Sequence, residues 1–518
     1  MLILLPVLLM LLTALALFIL HTIQPKFKYP WMIAAGGATL AFACVFLWQI
    51  HFPQSISLPP WQLVTPVLYM PAWLADGVSW PYALALAALA MAVIWTSVVR
   101  AENESLSWAA ALTLTALGIL AVAAENPLTL LLVWSAIDLF ELIAMLRSTE
   151  DENQTRDVII AFAVRLAGTG FLLWANLVSA ASGIPLDFRA TPPDTGIFLL
   201  IAAGLRLGVL PLHLPYRKDN LIRRGFGTVL RLVSATASLA LLARIPATAL
   251  KSPLTPYLIL LTAIAAIYAG WMWLRASDEI LGRPYWILGL ASLAVAESLW
   301  GNPTGSIGWG IALILCGGMM FLFSARRRSI LWVVLSGLWS ISTLPFSMTS
   351  SSWQTGISSP WQFILPFLPA QSLFLAGFFR HALHPGETSL ESQEKWVKVI
   401  YPTGLVTLIL TAYLLGFWGW AGARTIGFWW SGIIALLLAA GFAFLGLRTL
   451  NHIPSSGLSS RLDQLFQIRW VYFILAGIYA LIRKIVDIIS NFLEGEGGLL
   501  WTFLLLLLIY SIFSSQGW

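Results

Sequence analysis

The sequence predicts an all-α polytopic transmembrane helical bundle of about 16–17 helices, and three observations carry that expectation. The 518 residues are 59% hydrophobic and only 10% charged, far more apolar surface than a water-soluble chain of this length needs to bury. The apolar residues come in runs long enough to cross a bilayer, which takes about 20 residues of helix. The runs are continuous rather than alternating, which selects helices over a closed barrel, the two folds that satisfy every backbone polar group in lipid.

Taken in order, the spans fall at 2–21, 31–50, 80–99, 108–124, 127–146, 157–181, 195–214, 225–245, 255–274, 284–300, 307–325, 329–346, 361–381, 399–420, 426–448, 470–490 and 498–515. Residues 2–20 lack a basic leading segment and a clear small-residue cleavage site, so they read as a retained first helix. The longest polar links, 382–397 and 449–469, leave no room for a soluble domain. The segment from Arg469 to Glu494 differs from the rest. Arg483, Lys484 and Asp487 alternate with Ile485, Val486 and Ile489, a pattern that fits a surface-lying amphipathic helix as well as a span with a charged end.

The formal charge of +6 is a topology signal. Alternate loops carry Lys26 and Lys28, Arg100, Arg147 and Arg156, the group Arg217 to Arg224, Arg275 and Arg283, and Arg326 to Arg328. The intervening loops are poor in basic residues, with Arg189, Lys251 and Arg424 as exceptions. The positive-inside rule then places the N-terminus outside a plasma (inner) membrane and argues against nucleic acid as a partner. Cys44 and Cys316 both fall in spans and form no metal-ligand pattern, so no metal or other cofactor is expected.

A charged side chain at bilayer depth costs at least about 2.5–3.5 kcal/mol, so such residues mark function or buried pairing. The sequence puts Asp138 and Glu141 in the fifth span, Arg165 in the sixth, Arg206 in the seventh, Arg231 in the eighth and Glu297 in the tenth. Three acids against three arginines suggest buried pairs rather than a charged pore. Asp138 and Glu141 stand three apart and share a helix face. His213 lies seven residues after Arg206, two turns on along one helix, with Pro211 between them as a helix break. An arginine, a break and a histidine on one face fit part of a proton or ion path. They also fit a structural arginine–carboxylate pair beside a proline kink.

Four motifs give the sequence a resemblance. Arg206, Pro211 and His213 are followed by Leu214-Pro215; Ala75-Asp76-Gly77-Val78-Ser79 precedes the third span; SATASLALLAR runs from Ser234 to Arg244; and Asp278 opens the loop before the tenth span. In order and position they resemble the antiporter-like membrane subunits of respiratory complex I and of Mrp-type sodium/proton antiporters, over roughly residues 1–450. The resemblance implies antiporter-type inverted repeats with broken helices at Pro211 and Pro345. It also implies a division into N-terminal helices and outer loop (1–124), an antiporter-like core (125–450) and a C-terminal amphipathic or lateral helix with a final span (451–518). It further implies a subunit with no catalytic or redox centre of its own, belonging to a complex I-like (NADH-quinone oxidoreductase-type) or Mrp-like assembly. Its partners would be other membrane subunits and the lipid bilayer, and its ion a proton or sodium.

The departures bear on mechanism. The family's fifth-helix glutamate follows a tryptophan, but here Trp134 is followed by Ser135, leaving Asp138 or Glu141 to substitute. The seventh-helix lysine is Arg206, the eighth-helix position falls near Leu230 or Arg231, and the twelfth-helix position falls near Trp353 with no ionisable group. A relay lysine can release a proton when burial lowers its pKa, whereas arginine stays protonated in proteins. The subunit would therefore either carry protons through His213 and the Asp138, Glu141 and Arg206 cluster, or have lost transport and serve as a scaffold. Two rivals stand beside this reading. One is the membrane subunit of an inorganic-carbon uptake system. The other is a flippase or transferase, whose catalytic acids usually sit in an outer loop; loop 51–78 offers only Asp76, itself a turn or cap residue beside Gly77.

Overall fold

The structure, a computed structural model, describes residues 3–25, 27–58, 70–99, 105–149, 152–183, 186–188, 191–214, 224–354, 364–420, 424–449, 469–494, 502–509 and 511. Its helices are α1 (Leu4–Ile23), α2 (Pro30–Leu47), α3 (Ser79–Thr96), α4 (Ser105–Ala123), α5 (Pro127–Ser148), α6 (Glu152–Ala181), α7 (Pro193–Leu207) and α8 (Arg224–Arg244). They continue with α9 (Thr255–Arg275), α10 (Glu279–Leu299), α11 (Pro303–Leu322), α12 (Arg328–Ser340), α13 (Phe367–Leu383), α14 (Val397–Leu414), α15 (Trp429–Thr449) and α16 (Arg469–Glu494). Residues 502–509 are helical as well, so each expected span has a helix. Among the described residues ten helices are long and apolar enough to cross a membrane, and the chain is an integral multi-pass membrane protein.

The described chain forms two compact units, residues 1–466 and 467–518. In the first, α3, α8 and α11 are 89–100% buried and form the centre. α1 and α2 bury only 28% and 33% of their apolar windows and face outward with side chains such as Leu12 and Met32. That inversion, apolar residues both inside and out, is what a bundle in lipid requires. Close packing at the centre uses small residues: a Cβ at Gly310 of α11 would overlap the Tyr82 hydroxyl of α3. In the second unit α16 is continuous, with Arg483 and Asp487 paired one turn apart at 3.9 Å.

Strand content is slight. β1 (Gln54–Ser57) pairs antiparallel with β2 (Ala72–Ala75), and the two-residue β3 (Ala325–Arg326) pairs parallel with β4 (Thr388–Ser389). The β1–β2 pair leads into α3 through Asp76, whose Oδ1 accepts from the backbone N–H groups of Val78 and Ser79 at 3.2 and 2.8 Å. Asp76 is thus the turn residue expected of an Asp-Gly pair, and it has a second role: Arg244 at the end of α8 grips both its carboxylate oxygens at 3.1 and 3.2 Å. Two motifs that the sequence shows 168 residues apart meet in one ion pair. Asp278 caps α10, accepting from the N–H groups of Ile280 and Leu281 at 2.8 Å each, so that helix begins five residues before the expected span.

Both expected breaks occur, each earlier than its proline. α7 stops at Leu207, and Gly208 follows in the left-handed region at φ 77°. Glycine fits there because a Cβ would stand 2.6 Å from the His213 carbonyl oxygen. Residues 208–212 are turn, with Pro211 inside it. α12 stops at Ser340 and residues 341–354 run without α-helix past Pro345. Thr343, Phe346 and Trp353 all adopt positive φ in that segment. Buried Gln371 of α13 steadies it by donating to the Ile341 carbonyl and the Thr343 hydroxyl, both at 3.2 Å.

Candidate functional site: a buried chain of alternating charges

Five of the expected residues converge. α5 presents Asp138 and Glu141 on one buried face, while Ser135, the residue after Trp134, points outward with its hydroxyl on the Leu131 carbonyl. The helical period therefore brings inside the carboxylates one and two turns beyond Trp134, and not position 135. From α7, Arg206 meets Asp138 with both terminal nitrogens, Nη1 to Oδ2 at 2.5 Å and Nη2 to Oδ1 at 2.7 Å. The bidentate fork is the geometry that guanidinium offers and ammonium does not. Arg206 also donates to the Thr169 hydroxyl at 3.2 Å and lies 4.2 Å from the ring centroid of Trp134.

Arg165 of α6 stands between the two acids. Its Nη1 bonds Glu141 and lies 3.9 Å from Asp138 Oδ1. Arg231 of α8 closes the series, donating to Glu141 Oε1 at 2.8 Å. The order through space is Arg206, Asp138, Arg165, Glu141, Arg231, with charges alternating and all five side chains buried. Each carboxylate bridges two guanidiniums, an arrangement that offsets much of the cost of burying ions.

His213 does not share a helix face with Arg206. The helix ends at Leu207, so the two-turn spacing read from the sequence does not apply. The turn folds His213 back instead: its N–H bonds the Gly208 carbonyl at 2.9 Å, and Nδ1 lies 2.8 Å from the Pro211 carbonyl. A carbonyl only accepts, so Nδ1 carries the hydrogen. His213 and Arg206 nevertheless line one cavity of about 50 Å³, together with Arg165, Arg231 and an apolar wall from Pro284, Ile287 and Leu288 of α10.

Glu297 lies apart from this chain. It is fully buried near the end of α10, where Oε1 accepts from the Trp353 N–H at 2.7 Å and Oε2 from Asn302 Nδ2 at 2.7 Å. Among the described residues it has no ion pair. Asn302 continues to the Ser351 carbonyl at 2.9 Å, so the acid ties the α10–α11 turn to the broken segment. The carboxylate thus reaches the neighbourhood of Trp353, where the sequence itself supplies no ionisable group.

Two features escaped the sequence reading. His381 is the last residue of the expected span 361–381, yet it is buried in α13 with Nε2 2.9 Å from the Trp273 carbonyl and its ring 4.3 Å from that indole. Arg224 meets Glu279 at 2.9 Å and Glu387 at 2.5 Å, and Arg326 reaches Glu279 at 3.4 Å. These residues read as loop charges because they flank spans, and only the Asp278-Glu279 pair at a helix start signals a cap region.

No protein-family model matches the chain, and no curated protein matches it in sequence. Solved structures do. A chain of the Mrp complex from Dietzia sp. DQ12-45-1b superposes with TM-score 0.69 at 15% identity, covering 100% of this chain and 63% of that one. A chain of the membrane-bound sulfane sulfur reductase, an archaeal respiratory membrane complex, gives 0.64 at 13% identity, covering 97% and 99%. A chain of respiratory complex I from Thermus thermophilus gives 0.60 at 17% identity, covering 85% and 99%. The protein therefore spans less than two thirds of the Mrp complex chain but nearly the full length of the other two. At these identities the likeness shows the fold, and it is the fold that the four sequence motifs implied.

Proposed function

We propose that the protein is an antiporter-like membrane subunit of a multi-subunit, Mrp-like or complex I-like assembly, with its N-terminus outside the plasma (inner) membrane. Its central charge chain is held rather than switching. One observation carries this reading: the buried series Arg206, Asp138, Arg165, Glu141, Arg231, in which every cation is a guanidinium. Arginine does not release its proton in a protein, so a proton cannot be handed along that series through the basic members. The chain then serves to lock α5, α6, α7 and α8 together and to present a fixed field to neighbouring subunits.

A second reading is favoured by the position of His213 on the cavity wall beside Arg206 and Arg231. An imidazole titrates in the physiological range when unperturbed, so a proton or cation route that bypasses the arginines would run through His213. Proton flux in proteoliposomes holding the subunit with its co-purifying partners separates the two. The held-chain reading expects His213→Ala and Arg206→Lys to leave flux unchanged. Loss of flux in His213→Ala with normal assembly would overturn it in favour of the histidine route. The subunit reading itself requires that other membrane subunits co-purify after gentle extraction, and isolation of the chain alone would sink it.

A further inference from the structure

A groove of about 610 Å³ lies between α1, α4 and α5, away from the charge chain. Each helix lines it with one face over two turns: residues 11–18 of α1, 106–113 of α4 and 140–147 of α5. His21 Nδ1 lies 3.1 Å from the Ser105 hydroxyl, which sets the end of α1 beside the start of α4. α4 turns into α5 through residues 124–126, so the end of α5 returns to the same side. One end of the groove therefore holds Phe18, Ser107 and Arg147, and the other Leu11, Thr113 and Phe140. Arg147 is exposed and, among the described residues, makes no ion pair or hydrogen bond. At the far end the Thr113 hydroxyl is committed to the Ala109 carbonyl at 2.9 Å, which leaves that end apolar. Leu15, Phe18, Leu106 and Ile143 are 44–53% exposed along the groove.

We infer that this groove binds one membrane phospholipid, with an acyl chain along α4 and the phosphodiester against Arg147. Depth selects the occupant. Seven residues of helix rise about 10 Å. The hydrocarbon core is about 30 Å thick, so the groove reaches no deeper than one leaflet. A transmembrane helix of a partner subunit runs the full thickness and has no reason to stop there, whereas an acyl chain ends within its leaflet. Charge selects the headgroup. The guanidinium stands at the mouth, where the helices leave the apolar layer, and it pairs with a phosphate through parallel N–H donors. The Ser107 hydroxyl at the same end offers a further donor. A free phosphate would use the mouth and none of the apolar wall. The inference rests on the chain crossing a bilayer, and not on ion transport or on the identity of the assembly.

The test is photolabelling of the purified protein, with whatever subunits accompany it, in nanodiscs. The probe is phosphatidylglycerol with a diazirine in one acyl chain, and diacylglycerol with the same chain is the control without phosphate. Peptide mass spectrometry reads the labelled positions. Labelling within 106–113 and 140–147 should saturate at a low mole fraction of the phosphatidylglycerol probe. Exposed Leu260 and Leu261 of α9 should instead label in proportion to the probe, as bulk lipid contacts do. Arg147→Gln should raise the half-saturating fraction about fivefold, the share of one cationic residue near an anionic lipid surface. Ala110→Leu fills the groove without changing its charge and should also lower labelling there. Groove labelling that never saturates, that is equal for the two probes, or that is unchanged in Arg147→Gln overturns the inference. So does a groove left unlabelled, since a protein segment then fills it.

Discussion

Asp138→Asn is the sharpest probe of the charge chain. Asparagine keeps the shape and one acceptor oxygen, so Arg206 retains one of its two short contacts, at 2.5 or 2.7 Å, and loses the opposing charge. What remains around the guanidinium is the Thr169 hydroxyl at 3.2 Å, the Arg165 carbonyl at 3.5 Å and the Trp134 ring at 4.2 Å. Leaving one member of a buried pair without its partner costs about 3–5 kcal/mol. The ring contact already exists in the wild type and gives nothing back. Asp138→Asn should therefore destabilise the bundle by about 3 kcal/mol or more. Arg206→Met should cost less, because Asp138 keeps Arg165 at 3.9 Å. The double variant Asp138→Leu with Arg206→Met should fall well short of the sum of the Asp138→Leu and Arg206→Met single variants, as replacing both members of a buried pair by apolar groups is often near neutral. Reversible unfolding in mixed micelles measures all four. A cost for Asp138→Asn below about 1 kcal/mol, the range of a solvent-exposed pair, or strict additivity in the double variant, would refute the account of a desolvated, coupled pair.

Three further outcomes follow from single contacts. Gly208→Ala places a Cβ 2.6 Å from the His213 carbonyl at a φ of 77°, and should cost about 1–3 kcal/mol by the same unfolding assay. Asp76→Asn keeps the acceptor for the Val78 and Ser79 N–H groups but breaks the pair with Arg244, whereas Asp76→Ala loses both; the alanine variant should be less stable by about 1 kcal/mol. Glu297→Leu leaves the buried Trp353 N–H without an acceptor, whereas Glu297→Gln can supply one, so leucine should exceed glutamine in cost by about 1–3 kcal/mol. Protease sensitivity of the 341–354 segment should rise in the leucine variant, and equal behaviour of the two variants would argue against Glu297 as the tie to that segment.

The sequence carried the helices because length and continuous apolarity are local properties, and the bilayer requires both. It also carried the members of the charge chain, since an ionisable residue inside an apolar run stands out against its neighbours. What it could not carry is connectivity. Nothing local in Asp76 or Arg244 announces a pair across 168 residues, and nothing in Glu297 announces that its acceptor oxygens meet the N–H of Trp353 and the amide of Asn302. Helix breaks were placed at prolines because proline is the visible breaker. The chain in fact leaves the helix at Gly208, whose left-handed backbone ends α7 before Pro211 is reached. That displacement also invalidated the two-turn argument for Arg206 and His213, which assumed a continuous helix between them.

The count of three acids against three arginines gave the impression of a neutral interior, and the geometry divides it. Two acids and three arginines gather among α5, α6, α7 and α8, while the third acid sits alone at the α10–α11 turn, held by N–H donors. Neutrality summed over these six residues therefore describes neither place. A lone carboxylate satisfied by neutral donors and a bridged series of guanidiniums and carboxylates are distinct electrostatic problems, and each is met locally because the nearest groups make the largest Coulomb contribution. At Glu297 the structure meets it with a backbone N–H and an amide. At the cluster it does so by sharing each carboxylate between two guanidiniums.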